Sequence, residues 1–513
     1  MSTVTRRRFL AGAAASVAAA RLHAQKSAST RVTLALPAQA NGPRMPEHFV
    51  GLSYEVQQLR DPTFFSAANT GLIEQFKALS ANGVLRLGGN TSEYEWWKPT
   101  DESAEPEHPH TRVVTGEPQA QYYPVTAEAV RHLDAFLRAA GWKCIYGIGL
   151  GTNVPQRAAE EAAFAARTLG PRLLYFQVGN EADLFAPHLR DPEHWNAQIY
   201  LEQWLACARA IASAVPGAQF GMPDIASRLE WLTEIAELWP TVQNPPKIAA
   251  LTHHYYFGGP ATNPAVNIPN LLSPAAMAKV QRMADVATAA AKKMGVPLRM
   301  TEGNTCYRGG KPGVSDVFSA ALWAADYSLL LASNGYTGVN LHGGSGPSVA
   351  NSVGGSLPGD ALLREQGATA EQIATHPHPF YTPIASFGTQ YEMEPVAYGL
   401  KFAGLMSGGT LVESDLTGRL QGSGVDATAY AAKMPGGAVR VIVLNKDAER
   451  DVAVDLNFGV PRNGTVEIEF LHAPALDSRT AEITRSGSAR VRHGVYSTTV
   501  EHASGVCFTF RPA

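Results

Sequence analysis

The sequence predicts an α/β chain: a parallel (β/α)8 barrel followed by an antiparallel β-sandwich. Three observations predict it. Eight apolar or β-branched runs alternate with helical stretches over about 350 residues, the rhythm of a TIM barrel. No Gly-rich dinucleotide loop follows the first run, which sets aside a doubly wound open sheet. After about Lys401 the pattern changes to short alternating strands separated by turns.

Each segment has its own reason. Residues 1–25 carry Arg6-Arg7-Arg8 ahead of an Ala-rich apolar stretch from Phe9 to Ala20, with Ala24 at a small-residue cleavage position. The stretch is too short to span a bilayer, and the pattern predicts a twin-arginine-type export signal. The expectation is a chain exported to the periplasm or beyond, starting near Gln25 and carrying no membrane anchor. Residues 26–46 hold one alternating segment (30–36), expected to pair with the C-terminal sheet. The barrel is predicted over 47–400, with strands at 49–56, 83–90, 143–150, 173–180, 218–224, 248–256, 297–303 and 337–344. Amphipathic stretches such as 126–140 and 201–215 supply the helices between them. Two long loops, from about Tyr94 to Tyr123 and from about Ser345 to Pro379, follow strands two and eight. Both emerge at the C-terminal face, where barrel active sites form. Residues 401–513 form the sandwich.

Bulk composition excludes several functions. Charged residues make up 17% of the chain, hydrophobic residues 45%, and the formal net charge is −3. No basic excess points to nucleic acid. The four cysteines, Cys144, Cys207, Cys306 and Cys507, have no close spacing, so no zinc or redox motif is present. No HExxH and no Asp-rich calcium loop occurs, and no metal or organic cofactor is expected.

The chemistry is expected at strand ends. Strand four runs into Gly179-Asn180-Glu181 and strand seven ends on Glu302. A lone strand-end glutamate is a solvated residue more often than not. Two of them aimed at one barrel mouth can flank a glycosidic bond, one attacking and one donating a proton. Asn180 can hydrogen-bond a sugar hydroxyl as charge develops at the neighbouring carbon. Strand six ends in Thr252-His253-His254-Tyr255-Tyr256. Alternation places His253 and Tyr255 on one face and His254 and Tyr256 on the other. A phenol there can hold Glu302 ionised, and Tyr255 is the preferred candidate.

Asn180-Glu181 with Glu302 resembles the glycoside hydrolase clan that carries its acid/base on strand four and its nucleophile on strand seven. More narrowly, "VGNEADLF", "THHYYFGG", "TEGNTCYRGGKPGVSD" and "LRLGGNTSEYEWW" resemble glycoside hydrolase family 79, the β-glucuronidases and heparanases. The resemblance covers essentially the whole chain beyond the export signal. It implies that Glu181 is the proton donor and later the base, and that Glu302 is the nucleophile. It implies that Tyr307 and Gly309 hold the glucuronate carboxylate through a hydroxyl and backbone N–H groups. A Gly-rich turn makes such an anion nest without a full positive charge. Arg308 and Lys311 lie in the same stretch and remain alternative anion ligands. Glu55 sits where the family places an acidic residue on sugar hydroxyls, and Asn90 ends strand two. Tyr381 and Trp96 are candidates for a sugar platform.

The reading is a retaining hydrolase that releases β-linked glucuronic acid from non-reducing ends, with a glucuronide or glucuronate-containing oligosaccharide as its partner. One rival is endo-cleavage of a glucuronate-bearing polysaccharide. Another keeps the clan but changes the sugar to a xyloside, arabinofuranoside or glucoside. A third is an exported carbohydrate-binding protein without catalysis.

Overall fold

A computed structural model describes residues 31–108, 122–186, 188–352, 356–375 and 379–513. The expected export signal lies outside them. Eight parallel strands close into a barrel: β1 (Val50–Glu55), β2 (Val84–Gly88), β3 (Lys143–Ile148), β4 (Leu173–Val178), β5 (Gln219–Ile225), β6 (Lys247–Tyr256), β7 (Leu298–Asn304) and β8 (Tyr336–Gly343). They pair in chain order, and β8 closes on β1 with Val339 opposite Val50. All eight predicted strands are present, because each is built on an apolar or β-branched run that a barrel buries on both faces.

The outer helices are α1 (Thr70–Leu79), α2 (Ala127–Ala140), α3 (Pro155–Leu169), α4 (Ala197–Ala214), α5 (Glu230–Leu238), α6 (Pro274–Met294), α7 (Phe318–Ser333) and α8 (Pro395–Ala403). Local signals set their ends. Thr126 caps α2 by accepting the Ala129 N–H, and Gly141 ends it in the left-handed region. Helix α7 is apolar nearly all round and almost wholly buried. Such a helix needs cover on every side. It lies between the barrel, α8 and the C-terminal sheet.

The C-terminal region packs two sheets face to face. One is six-stranded, ordered Thr410–Leu411, β9 (Ala427–Lys433), β10 (Val439–Asn445), β15 (Ser504–Pro512), β12 (Gly464–His472), β13 (Glu482–Val491). The other joins β11 (Val452–Asn457) and β14 (Val495–Val500) to an N-terminal strand, Val32–Ala35, which runs parallel to β11. Val441, Val466 and Phe508 meet Leu34, Val454 and Val500 between the sheets. The other face of the larger sheet packs Ile442, Leu444 and Leu471 into the apolar cluster of the barrel's helical layer, beside Phe402 of α8. The sandwich therefore buttresses α7 and α8. All four cysteines are buried and unpaired. No helix among the described residues is long and apolar enough to cross a membrane.

Candidate active site

Glu302 lies within the last turns of β7, and Glu181 follows β4 through a bend. Gly179 has φ 84° and Glu181 φ 49°, so the chain reverses sharply just where the carboxylate is presented. The Glu181 N–H donates to Asp224 O at 2.9 Å, fixing the bend against the end of β5. One carboxylate oxygen of Glu181, one of Glu302 and a ring nitrogen of His254 all lie within 4.8 Å of one another.

A fully buried guanidinium organises the floor. Arg86, from β2, donates to Glu302 Oε2 at 2.7 Å, Asn180 Oδ1 at 2.8 Å, Gln177 Oε1 at 3.0 Å and Ser53 Oγ at 3.1 Å, and it pairs with Asp224. Asp224 also accepts from Gln177 Nε2 at 2.6 Å and from Thr301, and lies 3.2 Å from His254 Nε2. His254 Nδ1 is 2.8 Å from Glu181 Oε1. A Glu–His–Glu set could also ligate a cation, but both His254 ring nitrogens already face carboxylates. Tyr256 donates its hydroxyl to Glu302 Oε1 at 2.7 Å. His342 Nδ1 stands 3.6 Å from Glu302 Oε2, and its Nε2 is 3.3 Å from Glu55 Oε1.

These surroundings drive the two glutamates apart. Burial pushes the Glu181 carboxyl up, the nearby Glu302 and Asp183 charges add to this, and His254 only partly opposes it. Burial would raise Glu302 as well. His342, His254, Arg86 and the Tyr256 hydroxyl overcome that and hold it down at about 2. Burial disfavours a charged His254, yet Asp224 and Glu302 raise it to about 10. One carboxyl is poised to keep its proton and the other to lose it, the division that acid and nucleophile require.

The sequence-predicted residues meet different fates. Glu181, Glu302, Asn180 and Asn90 come together: Asn180 Oδ1 also accepts from Gly89 N–H at 3.0 Å, and its Nδ2 donates to Asn90 Oδ1 at 3.0 Å. Glu55 is close by but 2% exposed, with its oxygens taken by Thr91 N–H, the Thr91 hydroxyl and His342. It braces the turn after β2 and His342 from below. Tyr307 is 41% exposed at the rim, edge-on to the Tyr256 ring at 6.2 Å. Gly309 and Gly310 have φ 85° and 87°, a conformation that side chains resist. A Cβ on Gly309 would also stand 2.6 Å from Leu357 Cδ2. Among the described residues, no protein acceptor meets the N–H groups of Arg308, Gly309 or Gly310. Lys311 is turned away, with Nζ on Val266 O at 2.7 Å and Asn263 O at 3.4 Å. Arg308 is exposed at the rim. Tyr381 is buried beside Tyr256 and His342, at 6.2 and 5.9 Å between ring centroids. Trp96 is buried in the loop strand Glu95–Lys98.

Tyr255 is a correction. Its ring stacks on Tyr327 of α7 at 5.8 Å, so it faces the helical layer and not the mouth. Along β6 it is Tyr256 and His254 that point inward, and Tyr256, not Tyr255, is the phenol on Glu302. Arg86, Asp224 and His342 were not singled out in the sequence. Arg86 did leave a signal, an arginine inside the apolar run Val84–Gly88, where a buried charge demands partners.

No family model matches the chain. Two curated proteins are similar to it. A β-glucuronidase of Aspergillus niger is 28% identical over 367 residues, 66% of this chain and 66% of the relative. A β-glucuronidase of Neurospora crassa is 27% identical over 298 residues, 52% of this chain and 51% of the relative. The chain thus matches just under two-thirds of one relative's length and about half of the other's. Among solved structures, a 4-O-α-L-rhamnosyl-β-D-glucuronidase from Fusarium oxysporum superposes with TM-score 0.68 at 16% identity, covering 93% of this chain and 100% of that one. A GH51 arabinofuranosidase from Xanthomonas axonopodis pv. citri gives 0.63 at 14% identity, covering 94% and 100%. These structures share the barrel-plus-sandwich fold.

Proposed function

We propose that this chain is an exo-acting β-glucuronidase of the family 79 type, working by double displacement. The observation that carries the reading is the Glu181–Glu302 pair: two strand-end carboxylates with oxygens inside 4.8 Å and proton affinities driven in opposite directions. Close carboxyls favour a retaining enzyme, for which about 5–5.5 Å is usual and about 6.5–9.5 Å marks an inverting one.

In the first step a Glu302 oxygen bonds to the anomeric carbon as the bond to the aglycone oxygen breaks. Glu181 gives its proton to that oxygen. In the second step Glu181 takes a proton from water, the water oxygen bonds to the anomeric carbon, and Glu302 leaves as carboxylate. Arg86 and Tyr256 hold the nucleophile ionised and aimed. The curated relatives support glucuronide as the sugar. So do the open N–H groups of Arg308, Gly309 and Gly310 beside the exposed Tyr307, a nest suited to a carboxylate. Lys311, spent on carbonyls, is the poorer anion ligand.

Exo action is supported by the loop after β8. Asn351 Nδ2 donates to Gln57 Oε1 at 2.9 Å, Ser345 Oγ to Gln58 Oε1 at 3.1 Å and Asn90 Nδ2 to Ser352 O at 3.5 Å. These bonds tie the loop to the segments after β1 and β2 and wall one side of the mouth. The basic, Ala-rich N-terminus supports export.

The test is hydrolysis of 4-nitrophenyl β-D-glucuronide beside the β-D-glucoside, α-L-arabinofuranoside and β-D-xyloside. Strong preference for the glucuronide is expected. Preference for another sugar would keep the two glutamates and discard the nest. Silence on all of them with cleavage inside a glucuronate polysaccharide would replace exo by endo action.

A further inference from the structure

Beyond Ile148 and Val178 strands β3 and β4 part, and their backbones stop pairing. Three N–H groups at the split need acceptors. Gly179 N–H reaches back to Ile148 O at 2.9 Å and Glu181 N–H reaches forward to Asp224 O at 2.9 Å. The N–H between them, on Asn180, has no carbonyl. It donates instead to Glu93 Oε1 at 2.6 Å. The other oxygen of the same carboxylate accepts Leu150 N–H at 2.9 Å and Gly151 N–H, both from the end of β3. Glu93 is 2% exposed and sits on the turn Asn90–Tyr94 after β2. One buried carboxylate therefore staples the ends of three barrel strands at the residue that precedes Glu181. The turn it grips is held from its other side too: Arg190 donates to Gly151 O at 2.8 Å and Leu150 O at 3.2 Å, and the Thr152 hydroxyl donates to Glu93 O at 2.6 Å.

We propose that Glu93 is a positioning residue for the acid/base: through Asn180 N–H it sets where the Glu181 carboxyl stands relative to the leaving oxygen. The inference rests on the two-glutamate reading above and deepens it. Glu93 is shielded from the sugar and takes part in no bond change. Its influence falls chiefly on proton donation: Glu302 takes its bonds from Tyr256 and Arg86, and is linked to Asn180 only through the Arg86 bond to the Asn180 side-chain oxygen.

Glu93→Gln keeps the shape but not the function. An amide has one acceptor oxygen and presents two N–H donors on its other side. Whichever way it turns, a donor faces either Asn180 N–H or the Leu150 and Gly151 N–H pair. The experiment is a series of aryl glycosides whose phenols differ in acidity, run on wild type, Glu93→Gln and Glu93→Asp. It uses whichever sugar the wild type accepts, so the identity of the sugar and the role of Glu93 fail independently. Phenols that leave poorly need the proton from Glu181, and a dinitrophenol does not. A misplacement near 1 Å can cost about 100-fold. The expected result is a fall of about that size in kcat/KM for the poorest leaving group, and less than about tenfold for dinitrophenol. A uniform loss across the series, or none, would overturn the assignment, since a merely structural residue does not alter sensitivity to the leaving group. Should the glutamine variant not fold, the aspartate variant carries the same readout. A wild type silent on every sugar would overturn both readings together.

Discussion

Two of the places where this molecule buries charge are closed off to different degrees. Where α7 meets the sandwich, Asp326 and Lys446 pair at 2.8 Å with side chains 0% and 1% exposed. The other Asp326 oxygen accepts from the Thr428 hydroxyl at 2.8 Å and the Tyr430 hydroxyl at 2.6 Å. Every oxygen is satisfied within the protein. At the barrel mouth, Glu302 and Glu181 are held just as firmly from below but keep 7% and 12% of their side chains exposed toward the opening. Burial of charge therefore does not mark a reactive site by itself. A closed pair fixes one surface on another. A carboxyl bound on one side and open on the other can meet a substrate.

Two substitutions widen that contrast most. Glu302→Gln removes the proposed nucleophile and keeps its shape. Turnover should fall by about 10⁴-fold or more, the scale seen when a member of a catalytic unit is lost. Folding should survive, checked by thermal melting beside steady-state rates. Lys446→Met should do the reverse. It leaves Asp326 buried without its cation, a loss of about 3–5 kcal/mol. Denaturant titration should show that loss, while kcat/KM per folded molecule stays near wild type. A Lys446→Met enzyme that kept its stability, or a Glu302→Gln enzyme that kept its turnover, would erase the distinction.

The same division explains what could be read from the sequence. The strands were legible because each is built on an apolar or β-branched run, and the two glutamates because each stands at the end of such a run. The network beneath them was not. Arg86, Asp224 and His342 come from β2, β5 and β8, and only barrel closure brings them to Glu302, either directly or through Arg86. Period-two alternation says that Tyr255 and Tyr256 face opposite ways but not which way is in. A register shift where β6 pairs with β7 removes even the help of counting from a neighbour. Glu55 carried an apt residue type in an apt place, yet its oxygens turned out to be engaged by the protein.

The pH profile sharpens the comparison further. In the proposed mechanism Glu302 works ionised and is held at about 2, so its loss of activity lies far on the acid side. In that mechanism Glu181 works protonated in the first step, and its carboxyl is raised, chiefly by burial. Activity should therefore fall as pH climbs through the Glu181 value. In Glu181→Gln, measured with a dinitrophenyl glycoside that needs no acid, the alkaline limb of kcat/KM should vanish. An alkaline limb unchanged in that variant would move the titration to another group.

The smallest effect separates two neighbours. Tyr256→Phe removes a neutral donor from an ionised acceptor, and such bonds contribute about 1.5–3 kcal/mol. Without it Glu302 loses part of its aim, and a misplacement near 1 Å can cost about 100-fold, so kcat/KM should drop about 10- to 100-fold. Tyr255→Phe removes a hydroxyl that is buried with no hydrogen-bond partner. Nothing is lost to the substrate, and a desolvated polar atom is removed from the helical layer. Activity should stay within about twofold and the melting temperature should hold or rise slightly. Comparable losses in both variants would mean that β6 transmits strain along its length. A loss confined to Tyr256 would show that the strand delivers one side chain to chemistry and the next to packing, with only the direction of the pleat to tell them apart.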